Sequence, residues 1–188
     1  FTFSRGAWLA FAAAGLVLII IKQISRPIIL SSLFLLVIFS WLFQPLLASR
    51  FASTDRLETF SKNERISQYG EAWSLIKQAP WFGAGPGLYT LALHQSRPDQ
   101  PVWALQPVHN IFVLALAEWG IVGFGLLIFF IFRATPLWRA SREAVLPILL
   151  AIFIFGFFDH YLWSLWSGNL LLAVLCFSLS KQTPLDKI

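Results

Sequence analysis

Methionine is absent from these 188 residues, and cysteine occurs once, at Cys176 inside an apolar run. A lone cysteine excludes a disulfide framework and a metal-type cysteine cluster. Charge is scarce too: Asp, Glu, Lys and Arg make up 12% of the chain, against roughly 25% in soluble domains. No internal repeat and no low-complexity tract interrupts it. The chain opens on Phe and holds no Met, so it reads as the C-terminal part of a longer protein in which no signal peptide can be judged.

What is present is apolar. Hydrophobic residues form 57% of the chain, Trp alone occurs nine times, and the mean hydropathy is +0.71. This is membrane-protein composition. Five apolar segments approach the roughly 20 residues that a helix needs to cross the hydrocarbon layer. They run from Ser4 to Ile21, Ile28 to Leu47, Asn110 to Phe132, Ala144 to Phe158 and Tyr161 to Leu179. The fold class expected is all-α: a polytopic helical membrane protein with about five transmembrane helices.

The isoelectric point near 9.8 raises the question of a nucleic-acid partner. Placement answers it. The connections "KQISRP" and "RATPLWRASRE" and the tail "SKQTPLDKI" hold Lys22, Arg26, Arg133, Arg139, Arg142, Lys181 and Lys187 against Glu143 and Asp186. By the positive-inside rule these are cytoplasmic, so the basic excess sets topology and no nucleic acid is implied. The N-terminus, the long segment 48–108 and the "DHY" turn at Asp159 then face the opposite side.

That long segment mixes charges and exceeds a simple connection, which marks it as functional. In "ERISQYGEAWSLIKQ", large residues recur at helical spacing, with Ile66, Tyr69, Trp73 and Ile76 on one stripe, and "APWFGAGPG" stops the helix. Such a helix is expected at the outer membrane surface. Gly70 in its middle weakens it by roughly 1 kcal/mol relative to Ala.

Arg5, in "SRGAW", stands at the mouth of the first span. Counted from Lys22 at about 1.5 Å per residue, it lies roughly 25 Å up, inside the outer edge of the apolar layer. A charge there is a functional hypothesis by default, and pairing with Glu118, about 22 Å above Arg133, stands equally beside it. "QPVHN" offers a second site. Pro107 suits the first turn of an outward-facing helix, and His109 follows at an N-terminus whose free N–H groups favour a phosphate-bearing ligand. His109 is either a proton-transfer group or an ordinary interfacial anchor. Arg65 is either solvated or phosphate-contacting.

The remaining signals are plainer. "GAGPG" lacks the Lys-Ser/Thr of a phosphate loop and reads as a tight turn. His94 and Arg97 read as solvated, and Asp159 and His160 as structural interface residues. No His pair or carboxylate cluster stands at metal-ligand spacing, so the sequence suggests no metal and no cofactor.

"SRGAW" opening a span, the loop "ERISQYGEAWSLIKQAPWFGAGPGLY" and then "HNIFVLALAEWGIVGFGLL" resemble, in order and spacing, the O-antigen ligase and polymerase superfamily over most of residues 1–132. "FDHYLW" is similar to the family's C-terminal end. The resemblance implies one ligase-like membrane domain over residues 1–188, with 48–108 as a periplasmic loop and an N-terminal half missing. It implies glycan transfer from undecaprenyl pyrophosphate to a lipid A-core or glycan acceptor, at the periplasmic face of the bacterial inner membrane. Matched to the family's motifs, Arg5 and Arg65 bind the donor pyrophosphate and His109 is the catalytic base. Arginines that balance the leaving group's charge make a metal unnecessary. Tyr69 and Trp73 are offered as a sugar floor or as interface packing.

Because some members are linked to inorganic-carbon uptake, a membrane transporter is the alternative. Transport calls for charges or broken helices near the bilayer centre, whereas Arg5, Glu118 and His109 gather toward one face, and Gly123 and Gly125 read as helix-packing positions.

Overall fold

The computed structural model describes residues 5–21, 25–45, 48, 56–134 and 142–181. In chain order these form α1 (Arg5–Ile20), α2 (Arg26–Leu42), α3 (Arg56–Gln78), α4 (Tyr89–Ser96), a short 3-10 turn (Val102–Ala104), α5 (Ile111–Ala134), α6 (Arg142–Phe158), α7 (Tyr161–Ser164) and α8 (Trp166–Lys181). Among the described residues all regular structure is helical.

The expected spans fall on α1, α2, α5 and α6, while the fifth is interrupted: Leu165 is extended (ψ 140°) and separates α7 from α8. By length and composition Ile111–Arg133 suffices to cross a membrane, and Gly6–Ile20, Pro27–Leu42, Val145–Phe158 and Trp166–Leu175 are apolar but shorter. On α2 the consecutive residues Leu33, Phe34, Leu35, Leu36 and Val37 are all exposed. Five successive positions sweep the helix circumference, so α2 is apolar all round, a surface suited to hydrocarbon and not to water.

The packed core lies elsewhere, where α3 and α4 cover the first half of α5. Ala72, Leu75, Ile76, Tyr89, Leu93, Leu105, Val108, Leu114 and Ala117 bury together. Leu93 and Leu114 are fully buried, each contributing about 2 kcal/mol. α3 begins at Arg56, well before the expected stretch, and its buried face differs from the expected stripe. Gln68, Glu71, Ala72, Leu75 and Ile76 turn inward, while Ile66, Tyr69 and Trp73 stay exposed. The reason is that the inner face must accept α5 closely, which Ala72 permits and Trp73 would not. Gly70 sits in open space on the outer side.

α1 runs antiparallel along α6. Gly6 is required there, because a Cβ at that position would overlap Phe158 Cβ. The glycine of "SRG" thus lets the first turn of α1 close on the residue before Asp159.

α5 is broken at Gly120 (φ 64°, ψ −173°). The amides of Ile121 and Val122, which would ordinarily bond the carbonyls of Ala117 and Glu118, donate instead to Pro80 O (2.9 Å) and Trp81 O (3.1 Å). The released carbonyls accept from Ala84 N (2.9 Å) and Gly85 N (2.8 Å). "APWFGAG" is therefore a plug: its backbone exchanges hydrogen bonds with both sides of the break and leaves none of these four groups unsatisfied. Gly83 (φ 70°) and Gly120 face each other so closely that a Cβ on either would strike the opposing backbone. Two expectations change with this break. The height counted for Glu118 assumed a continuous helix, and the third span contains the kind of interruption that the sequence did not reveal. Gly123 abuts the Trp119 side chain, whereas Gly125 has nothing within 4 Å and is no packing position among the described residues.

Candidate functional site

The α5 N-terminus is built by Asn110. Its Oδ1 accepts from the amides of Phe112 (3.0 Å) and Val113 (3.1 Å), a side-chain N-cap. The helix thus begins at Ile111, so Pro107 lies outside the first turn, and amides expected to receive a phosphate are already occupied. The Asn110 amide group reaches two other elements: Nδ2 donates to the Tyr69 hydroxyl on α3 (3.2 Å) and to the Phe157 carbonyl on α6 (3.4 Å). One residue pins α3, α5 and α6 together.

His109 is held beside that pin. Its Nδ1 lies 3.3 Å from Asp159 Oδ1, the two side chains being 15% and 8% exposed. The same carboxylate oxygen accepts from the His160 backbone amide at 2.8 Å. Burial by itself raises the Asp159 carboxyl, but the His109 hydrogen bond, the His160 amide and the two imidazoles outweigh it and hold the group below the usual carboxylate range. An ionised carboxylate only accepts, so the shared proton sits on His109 Nδ1, and neutral His109 carries its lone pair on Nε2. His160 lies with its ring centroid 5.0 Å from that of His109, and its Nδ1 is 2.6 Å from Ser164 Oγ. Burial, reinforced by His109 and opposed by Asp159, lowers its pKa to about 4, so it is neutral at pH 7.

The residues singled out in the sequence are thus partly assembled. Arg5 opens α1, and its neighbour Gly6 touches Phe158 beside Asp159; the Arg5 side chain lies outside the described residues. Arg65 is exposed and has no ion-pair partner among the described residues. It stands one turn before Tyr69, whose hydroxyl bonds the residue next to His109. Trp73 is 55% exposed, with Lys77 Nζ 5.8 Å from its ring centroid. Glu118 is buried and accepts from Trp163 Nε1 at 3.0 Å. Its expected pairing with Arg5 involves a side chain outside the described residues.

Three expectations need correction. Arg97 is not simply solvated: it forms an ion pair with Glu71, tying α3 to the end of α4. His94 belongs to α4, with a buried Nδ1. A metal-type cluster does exist, because His109, Asp159 and His160 each offer a ligand atom within 4.8 Å of the others. No local spacing could reveal it, since 50 residues separate His109 from Asp159; only "FDHYLW" marked that end of the chain.

Beyond Ser164 opens a cavity of about 580 Å³ whose walls include Tyr89, Thr90, Glu118, Trp119, Trp163 and Asn169. The rings of Trp119 and Trp163 meet at 4.9 Å. Tyr89 Oη and Trp119 Nε1 are buried without a hydrogen-bond partner among the described residues.

A family model described as O-antigen ligase matches residues 1–130. No curated protein and no solved structure gives a significant match. The family consists of membrane-embedded enzymes of lipopolysaccharide biosynthesis that act on polyprenyl-linked glycans, and the match lends nothing to the transport reading. Since it spans well over half of the sequence and takes in the arginine, loop-helix and histidine blocks that converge on one place, the chain belongs to the O-antigen ligase family.

Proposed function

We propose that the chain transfers a glycan from undecaprenyl pyrophosphate to a lipid A-core or glycan acceptor at the periplasmic face of the bacterial inner membrane, without a metal ion. The observation that carries this reading is the convergence of four stretches far apart in sequence: Gly6 on Phe158, Tyr69 on Asn110, and His109 on Asp159. Residues 1–188 act as one membrane domain. Its apolar helices cross or enter the bilayer, the basic connections lie in the cytoplasm, and segment 48–108 forms the periplasmic part.

His109 Nε2 takes the proton of an acceptor hydroxyl as that oxygen attacks the anomeric carbon. The bond from that carbon to the phosphate oxygen breaks, its electron pair leaves with the pyrophosphate, and the configuration inverts. Asp159 fixes the imidazole and balances the imidazolium that forms. Arg5 and Arg65 hold the leaving group, each guanidinium matching phosphate oxygens with a planar fork. The cavity beside Ser164 suits the acceptor: indole faces for a sugar ring, and Glu118, Asn169 and the Tyr89 hydroxyl for its hydroxyls.

The test uses the full chain in nanodiscs with lipid-linked glycan and a lipid A-core acceptor. Glycan-bearing acceptor should form in excess chelator, and His109→Ala should abolish it while the donor still binds. An absolute requirement for a divalent ion would remove the arginines as the charge-balancing groups. Solute flux without a glycan product would restore the transport reading.

A further inference from the structure

We propose that His109, Asp159 and His160 form a binding site for one transition-metal cation of the zinc type, and that its occupation switches glycan transfer off. The binding half stands on geometry alone; the inhibition half rests on His109 being the base.

Each of the three side chains offers one ligand atom, and these atoms all lie within 4.8 Å of one another. Metal–ligand distances of about 2.0–2.2 Å in a tetrahedral site place ligand atoms about 3.4 Å apart. His109 Nδ1 and Asp159 Oδ1 already stand at 3.3 Å, so the ring of His160 has the main adjustment to make, on the order of 1 Å. Two imidazoles and one carboxylate are a donor set suited to zinc-like ions, with a fourth position open. Calcium takes six to eight oxygen ligands, and magnesium an octahedron of oxygens, so neither fits here.

The backbone that carries the site is fixed in advance of any ion. Asp159 and His160 are each 6% exposed. The backbone fixes them: Asp159 N donates to Phe155 O at 3.0 Å, and His160 O accepts from Trp163 N at 2.9 Å. Ser164 Oγ, 2.6 Å from His160 Nδ1, steadies that ring as outer partners steady metal-bound histidines.

Occupation is incompatible with base catalysis. A neutral imidazole bound to the ion through Nδ1 carries its proton on Nε2, the atom that must receive the acceptor's proton. Coordination also takes Asp159 Oδ1 from His109. The proton moves from Nδ1 to Nε2 through water, so no net charge leaves the ring.

The experiment titrates Zn²⁺, and separately Mg²⁺, into the chelator-stripped full chain in nanodiscs, reading binding by calorimetry and transfer in parallel. One Zn²⁺ per chain should bind and suppress transfer, and Mg²⁺ should do neither. His160→Gln retains the backbone amide that supports Asp159, so it should keep metal-free transfer and bind Zn²⁺ at least about tenfold more weakly. X-ray absorption of the wild-type complex gives a reading independent of any variant: two imidazole nitrogens and one carboxylate oxygen in the first sphere. Absence of binding, a first sphere without imidazole, or affinity unchanged in His160→Gln would overturn the site and leave the base assignment standing. Zinc bound with that first sphere while transfer continues would overturn the switch, and with it His109 as the base.

Discussion

His109 Nδ1 faces Asp159 Oδ1 at 3.3 Å, although fifty residues separate them in the chain. The contact joins the loop before α5 to the turn after α6, and it determines which imidazole nitrogen is free. In Asp159→Asn the carboxylate no longer balances the imidazolium formed during transfer, so kcat should fall about 100-fold. The KM for the lipid-linked donor should hold, because the pyrophosphate is assigned to the arginines. Steady-state kinetics separates the two; a rise in KM alone would place Asp159 on the donor instead.

Stability should decline in acid through two groups acting in the same direction. The folded pKa of His160 is lowered from 6.5 to about 4, so the unfolded chain takes up a proton first as pH falls, and stability is lost from about pH 6.5 toward 4. Asp159 is lowered as well, so its contribution is present above 3.8 and lost below it. Thermal unfolding in detergent should show Tm falling across pH 6.5 to 4 in the wild type and much less in His160→Gln. A Tm that is flat over this window would contradict the buried, neutral state of His160.

The plug in α5 makes two glycines irreplaceable. Gly83→Ala and Gly120→Ala each place a Cβ on opposing backbone at positive φ, and each should cost upward of 2 kcal/mol or prevent folding. Gly125→Ala, helical and with nothing within 4 Å, should stabilise by up to roughly 1 kcal/mol. Gly70→Ala, helical and open, should stabilise by roughly 1 kcal/mol. Comparing yield and Tm across the four variants tests the plug directly.

Glu118 distinguishes a structural from a donor-binding Arg5. Its carboxylate accepts from Trp163 Nε1 at 3.0 Å, so Glu118→Gln, which still offers an acceptor oxygen, should fold and retain most activity. Arg5→Ala with Glu118→Gln, which removes both charges but keeps an acceptor oxygen in the cavity, should yield a folded protein without transfer. If activity returns in that double variant, Arg5 neutralises Glu118 and Arg65 alone remains for the pyrophosphate.

Orientation is open to labelling. With Cys176 replaced by serine, a cysteine at Ser96 should react with an impermeant thiol reagent from outside, and one at Ser141 should not. Reversed labelling would move the proposed active face to the cytoplasm.

Apolar run length marked out the helices α1, α2, α5 and α6, because it is a local property that a linear reading captures, and the three family blocks were legible as a resemblance in order and spacing. Local chemistry also placed the helix stop at "APWFGAG". Its purpose was not legible there: a plug needs the break at Gly120, and the exchanged bonds run between backbone groups that carry no side-chain signature. The inner face of α3 likewise depended on what it packs against, so Ala72 rather than Trp73 turns toward α5. His109 was conspicuous in "HN", but its partner was not, since Asp159 and His160 reach it only because Gly6 lets α1 close on Phe158 and Asn110 ties Tyr69 to Phe157. A site made by side chains meeting across three helices is set by the distances between those helices, and such distances exist only once the chain is packed.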